Sequence, residues 1–127
     1  MPEIEGVVIG KLLGTPAVAA VFGTRAEPDP LSQGRTLPAM TYKVVGKPHA
    51  VDVETTWVRL QVTVWADTYA QVQAGSTAIR KALQGYMGVV GGVTIIQATF
   101  LNLLDVQDPV TGKRTRPMDF QILFREE

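Results

Sequence analysis

His49 is the only histidine in the chain, so any imidazole chemistry has to run through it. It falls in Gly46-Lys47-Pro48-His49-Ala50, which reads as a solvated turn. As a metal ligand it lacks companions of the right type and spacing, and one ligand is not a site. A serine triad would have to join it to Ser32 or Ser76. Ser76 reads as mid-helix and Ser32 as part of a flexible arm, and neither has the strained turn that presents a nucleophile. Asp105 and Asp108, with Glu126 and Glu127, are acids that could be paired only on rigid opposing walls. They read as a loop and a tail, and therefore as solvated. Gly88-Val89-Val90-Gly91-Gly92 follows a helix and precedes a strand, the reverse of the order that aims a helix N-terminus at a phosphate. It reads as a helix stop and a tight turn. No catalytic residue, metal site or cofactor site emerges, and the chain reads as a non-enzyme.

What remains are residues suited to binding. Lys113-Arg114-Thr115-Arg116 is the local basic cluster. It reads as a solvated hairpin tip, or as a finger that pairs with a neighbouring subunit or faces DNA in a lumen. Trp57 and Trp65 stand on the non-core side of one strand. An interface would use them there, and a second layer of the same domain would cover them equally well.

The composition narrows the class. With 127 residues, 12 basic against 12 acidic side chains and no cysteine, the chain suits one domain over 1–127 without disulfides or thiol chemistry. Zero net charge argues against a general nucleic-acid or membrane-surface binder and lets identical copies pack without strong repulsion. The start is acidic, with no basic and apolar leader pattern, and no apolar run nears the ~20 residues of a spanning helix. The expectation is a soluble protein made in the cytoplasm, with no membrane partner.

Elements must hold these residues in place. Ile4, Val7, Val8, Lys11 and Leu12 recur at helical spacing, predicting a helix over 2–13 that Gly14 ends. A second short helix is expected over 16–22, capped by Thr15, opened by Pro16 and stopped by Gly23. Residues 24–36, rich in proline and polar side chains, read as a long arm without structure of its own that packs on a neighbour. Strands are predicted over 37–46 and, most clearly, 57–65, where Val58, Leu60, Val62 and Val64 alternate with Trp57, Arg59, Gln61, Thr63 and Trp65. A long helix follows over about 68–86, capped by Asp67 or Thr68 and ended by Gly85 or Gly88. Its stripe is Val72, Ile79, Leu83 and Tyr86, and Ala70, Ala74, Ala78 and Ala82 are expected to let it lie close on a sheet. A strand over 94–106, a long connection over 105–117 and a last strand bearing Met118, Phe120, Ile122 and Phe124 complete the chain. The fold class is α+β. It comprises a mainly antiparallel sheet of about four strands packed by one long helix, with N-terminal helices and an arm-like loop.

The run from Thr56 to Val72, in which an arginine-bearing strand enters Val64-Trp65-Ala66 and Tyr69-Ala70 opens a helix closing at Ala82-Leu83, resembles a phage family. These are the tail completion, or tail terminator, proteins of long-tailed bacteriophages, prophages and gene-transfer particles. Leu12-Leu13, Pro16-Ala17-Val18, Leu37-Pro38, Tyr42, Gly46 and Asp119-Phe120-Gln121-Ile122 extend the resemblance over nearly the whole chain. Ala39 and Glu27 depart from it, standing where aromatics are common. The resemblance implies a ring, commonly a hexamer, that caps the tail tube, stops its polymerisation and meets the head connector. Its partners would be copies of itself, the tail tube protein and the connector, with DNA passing through the lumen, all within a virion assembled in the host cytoplasm. The expected contacts are Trp57, Arg59 and Trp65, then Arg25, Pro28, Leu31 and Arg35 of the arm, then Lys113, Arg114 and Arg116. The runner-up is another neck protein, a head-completion or connector adaptor, ahead of a small soluble binding module or an enzyme.

Overall fold

The structure is a computed structural model that describes residues 4–28, 31, 34, 36–51, 54–107 and 112–126, with the backbone only at 47, 49 and 126. In chain order the elements are α1 (Ile4–Leu13), α2 (Pro16–Phe22), β1 (Ala26–Pro28), β2 (Ala39–Ala50) and β3 (Thr55–Ala66). They continue with α3 (Tyr69–Leu83), β4 (Gly88–Val90), β5 (Val93–Leu103), β6 (Val106–Gln107) and β7 (Arg114–Glu126).

The helices begin and end for local reasons. Gly23 has φ of 60° and its N–H returns to the Ala19 carbonyl, ending α2 as its sequence predicts. Thr15 occupies the cap position of α2 but does not cap it with its side chain. Its hydroxyl donates instead to the Lys11 carbonyl at 2.9 Å, one of the orphan acceptors at the end of α1. At α3 the cap is Thr68, whose Oγ1 accepts from the Gln71 N–H, while Gln71 Oε1 accepts from the Asp67 N–H. This is a reciprocal capping arrangement shifted by one residue.

The strands form one curled sheet in the order β1-β2-β3-β7-β5-β4, with β6 paired to β7. The last strand therefore lies at the centre, antiparallel to both β3 and β5. Among the described residues seven strands stand where about four were expected. The long strands β2, β3, β5 and β7 match the expectation, whereas β1, β4 and β6 are two or three residues each and too short to show an alternation. One of these, β1, lies inside the stretch expected to have no structure of its own, and pairs parallel with β2. β2 also runs on to Ala50, so His49 is a strand residue opposite Trp57, beyond an irregularity between Val45 and His49. The expected turn there is corrected: it lies beyond the strand end, where the Val51 N–H reaches the Thr55 carbonyl. Gly91-Gly92, with φ of 57° and 81°, make the tight turn between β4 and β5. Positive φ at both positions matches the twist of a two-residue hairpin.

The core lies between the helices and one face of this sheet. Val58, Leu60, Val62 and Val64 of β3 and Met118, Phe120 and Ile122 of β7 are buried there with Leu12, Val18, Phe22, Val72, Ile79 and Leu83. Each such side chain contributes about 1.5–3 kcal/mol on leaving water. Half of the alanine row on α3 serves the close approach: Ala78 is buried and Ala82 packs on the core, whereas Ala70 and Ala74 are exposed. The tightest approach is at Gly75, where a Cβ would lie 2.6 Å from Phe22 Cζ and 3.2 Å from Val64 Cγ1. The end of α3 also guards the edge of β5. The Gly85 N–H donates to the Ala98 carbonyl, and Gln84 Oε1 accepts the Phe100 N–H at 2.7 Å. An edge covered this way is a poorer template for stray pairing.

Candidate functional site

Alternation along β3 puts Trp57, Arg59, Gln61, Thr63 and Trp65 on the face turned away from the helices. Antiparallel register sets Gln61 opposite Asp119, with Arg59 one step along the diagonal. Arg59 forms an ion pair with Asp119, and Gln61 Nε2 donates to the other carboxylate oxygen at 3.1 Å. Trp65 Nε1 donates to Thr41 Oγ1 at 2.9 Å, which orients the indole across β2. Both tryptophans are half-buried, so each keeps part of its ring surface on this face. The arrangement is a face on which Arg59, Gln61 and Asp119, and Trp65 and Thr41, are joined by cross-strand bonds.

The basic cluster divides. Lys113 and Arg114 are half-buried at the β6–β7 hairpin. Arg116 departs from the expectation of a solvated tip: it is 4 % exposed and turned inward. Its Nε donates to Asp105 Oδ1 at 2.6 Å and its Nη2 to Oδ2 at 3.2 Å. Nη1 donates to Gln73 Oε1 at 2.7 Å and Ser76 Oγ at 3.0 Å, and the guanidinium lies 5.6 Å from the Tyr69 ring centre. Hydrogen bonding to the Asp105 carboxylate holds Arg116 above the ordinary arginine value, with burial opposing it. Asp105 is thus a partner and not simply a solvated acid, while Asp108 and Glu127 lie outside the described residues. One side chain ties α3, β7 and the link between β5 and β6.

The arm is anchored at its start. Arg25 donates to the Pro38 carbonyl at 2.7 Å and to the Val21 carbonyl at 3.0 Å, where a cation also complements the C-terminal end of α2. The Met40 N–H in turn donates to the Arg25 carbonyl. Pro28 is exposed opposite Tyr42, Leu31 is half-buried, and Arg35 lies outside the described residues.

Among the described residues no group of His, Asp or Glu could hold a metal ion. Ser76 is engaged by Arg116, and Ser32 lies outside the described residues. No single described helix is long and apolar enough to cross a membrane. Surface grooves occur among the described residues. One of 630 Å³ runs between α2 and α3, and one of 140 Å³ lies beside Tyr69, Asp105 and Arg114. Sequence reasoning missed Asp119, Gln73 and Ser76 as partners. A carboxylate between Met118 and Phe120 was the available signal for the first, and nothing in the sequence marked the other two.

Residues 6–125 match the family described as tail completion protein gp17. A comparison with curated proteins finds no match. Among solved structures, a chain of the virion of a native gene transfer agent particle superposes with a TM-score of 0.79. It covers 96 % of this chain and 94 % of its own, at 16 % identity. That likeness concerns the fold.

Proposed function

Because the chain belongs to the tail completion protein gp17 family, and is thereby a structural protein of the phage tail or neck within a virion, we propose that it closes into a ring, of six copies, at the end of the tail tube. There it ends polymerisation of the tube protein and presents the surface that meets the head connector. It assembles in the host cytoplasm and acts without chemistry of its own. The observation that carries this reading is the family match over nearly the whole chain. Three features support it. The chain is formally neutral, so copies pack closely at little electrostatic cost. The face with Trp57, Arg59 and Trp65 is half-exposed and braced by cross-strand bonds. The start of the arm, β1, and the β6–β7 pairing near Lys113 and Arg114 lie on different strands of the sheet, and a head-to-tail interface uses two different surfaces. In such a ring the hairpin borders the lumen through which DNA passes, and Trp57, Arg59, Trp65, Pro28, Leu31 and Arg35 meet the neighbouring subunit. Arg25 and Arg116 serve from behind, fixing the arm and the hairpin.

The test is the mass of the purified protein by light scattering after size exclusion, followed by negative-stain imaging with tail tubes added. Rings in solution, or monomers that become rings on tube ends, are the expected result. Rings that ignore tube ends and bind portal complexes instead assign the chain to a head-completion or adaptor role. A strict monomer indifferent to tube ends at high concentration sinks the proposal.

A further inference from the structure

From Ala82 to Leu104 the chain has no charged residue and no proline. Within that stretch β5 is built of β-branched and large apolar side chains, and Leu101 and Leu104 at its end are exposed. A segment of high β-propensity without charge or proline pairs with copies of itself when its edge is free. Sheet edges are blunted by a lysine, a proline or a cover. With neither lysine nor proline available, β5 depends on its cover.

That cover comes in two pieces. β4 pairs with β5 over Val93–Ile95. Farther along, on the side away from β7, backbone groups of β5 are taken by the end of α3. The Gly85 N–H donates to the Ala98 carbonyl at 2.9 Å, and Gln84 Oε1 accepts the Phe100 N–H at 2.7 Å. The Arg80 guanidinium lies 4.3 Å from the Phe100 ring centre, bringing a charge to a strand that has none of its own. One helical turn stands in for a strand. It is a light cover, because Arg80, Gln84 and Gly85 are exposed while Leu83 beside them is buried and anchors the helix. Contacts made at the surface open more readily than the core beneath them.

We propose that the end of α3 is an autoinhibitory contact: it occupies the outer edge of β5, and its release lets the β5 edges of two copies pair antiparallel. A second copy is the fitting occupant because an uncharged edge meets itself with no like charges opposed, and a two-fold axis sets the same strand on both sides. This contact uses a different surface from the ring contacts proposed above, and neither depends on the other.

The test is hydrogen exchange at the Phe100 amide of the full chain, with light scattering over a concentration series. In dilute Gln84→Ala the amide should exchange about tenfold faster than in the wild-type protein, beyond any change in the urea midpoint, as loss of one ordinary hydrogen bond gives. Gln84→Glu keeps an acceptor and should keep the wild-type protection. At higher concentration the Gln84→Ala chain should form dimers that the wild-type protein does not, and its Phe100 amide should regain protection. Leu101→Lys, at an exposed position, places a charge on the edge and should abolish those dimers in the Gln84→Ala chain. Unchanged exchange in Gln84→Ala, or a rise fully explained by a lower urea midpoint, overturns the guard. Faster exchange with no added association shows that nothing was being held off, and dimers that survive Leu101→Lys pair through another surface; either result sinks the proposal.

Discussion

Arg59 and Asp119 share an ion pair but not an environment. Asp119 is 8 % exposed, whereas the Arg59 side chain keeps more than a third of its surface in water. Removing the arginine strands a mostly buried carboxylate with Gln61 as its remaining side-chain donor; removing the acid leaves a cation that water can solvate. Arg59→Ala should therefore cost about 1–3 kcal/mol and Asp119→Ala less than about 1 kcal/mol, read from urea midpoints at constant slope. The reverse order would mean that the pair is not what holds Asp119. At Arg116 the buried partner is the cation. Arg116→Met leaves Asp105 free to hydrate but takes a donor from Gln73 and Ser76, and should cost about 1–3 kcal/mol. The sign of its pH dependence follows from the raised pKa. A cation held above its unfolded value gives its full stabilisation below that value and loses it only as pH rises through the higher folded one. The Arg116→Met penalty should accordingly stay constant from about pH 6 to 10, well below the arginine range. A penalty that fades within that window contradicts the buried, bidentate guanidinium.

At the scale of elements, α1 and α3 treat glycine in opposite ways. Gly75 lets α3 approach Phe22 and Val64, and an added methyl there would have to displace an aromatic ring. Overpacking of that kind outweighs the propensity gain of about 1 kcal/mol, so Gly75→Ala should destabilise by about 1–2 kcal/mol. Gly10 in α1 has nothing within 4 Å of the same position, and Gly10→Ala should stabilise by about 0.5–1 kcal/mol. Thermal unfolding of the two variants tests both signs together. Thr68→Ala should cost about 1 kcal/mol by freeing the Gln71 N–H. The same element contrast explains the sheet. Long alternating strands announce themselves, but the pairing of β1 with β2 depends on the Arg25 anchor and on the Met40 N–H, not on any pattern within Ala26-Glu27-Pro28.

For the whole molecule, the helices and the sheet share one core cluster among the described residues. Unfolding should be a single transition in which helical circular dichroism and the fluorescence of Trp57 and Trp65, both on β3, move together. Separate midpoints would argue for more than one folding unit. The neutral charge and the half-exposed β3 face bear on the proposed ring at this scale too. Trp57 is half-buried in the isolated chain, so Trp57→Ser should weaken ring formation more than it weakens the fold. Sedimentation over a concentration series, beside a melting curve, separates those effects.

Much of this protein was legible without coordinates, and for one physical reason: period. The apolar alternation of 58–64 and 118–124, the stripe of Val72, Ile79 and Leu83, and the stops at Gly23 and Gly91-Gly92 are local patterns that each element needs in order to bury a face or to turn. The family resemblance lay in the same local pieces. Tertiary structure alone decided what depends on meeting across the chain. It placed the last strand between β3 and β5, gave the tightest approach to Gly75 and left Ala70 and Ala74 of the alanine row outside, carried β2 through His49 and drew β1 out of the arm. It also turned Arg116 from a hairpin tip into a buried pin, because an arginine's partners, Asp105, Gln73 and Ser76, come from segments whose distance closes only when α3 packs on the sheet.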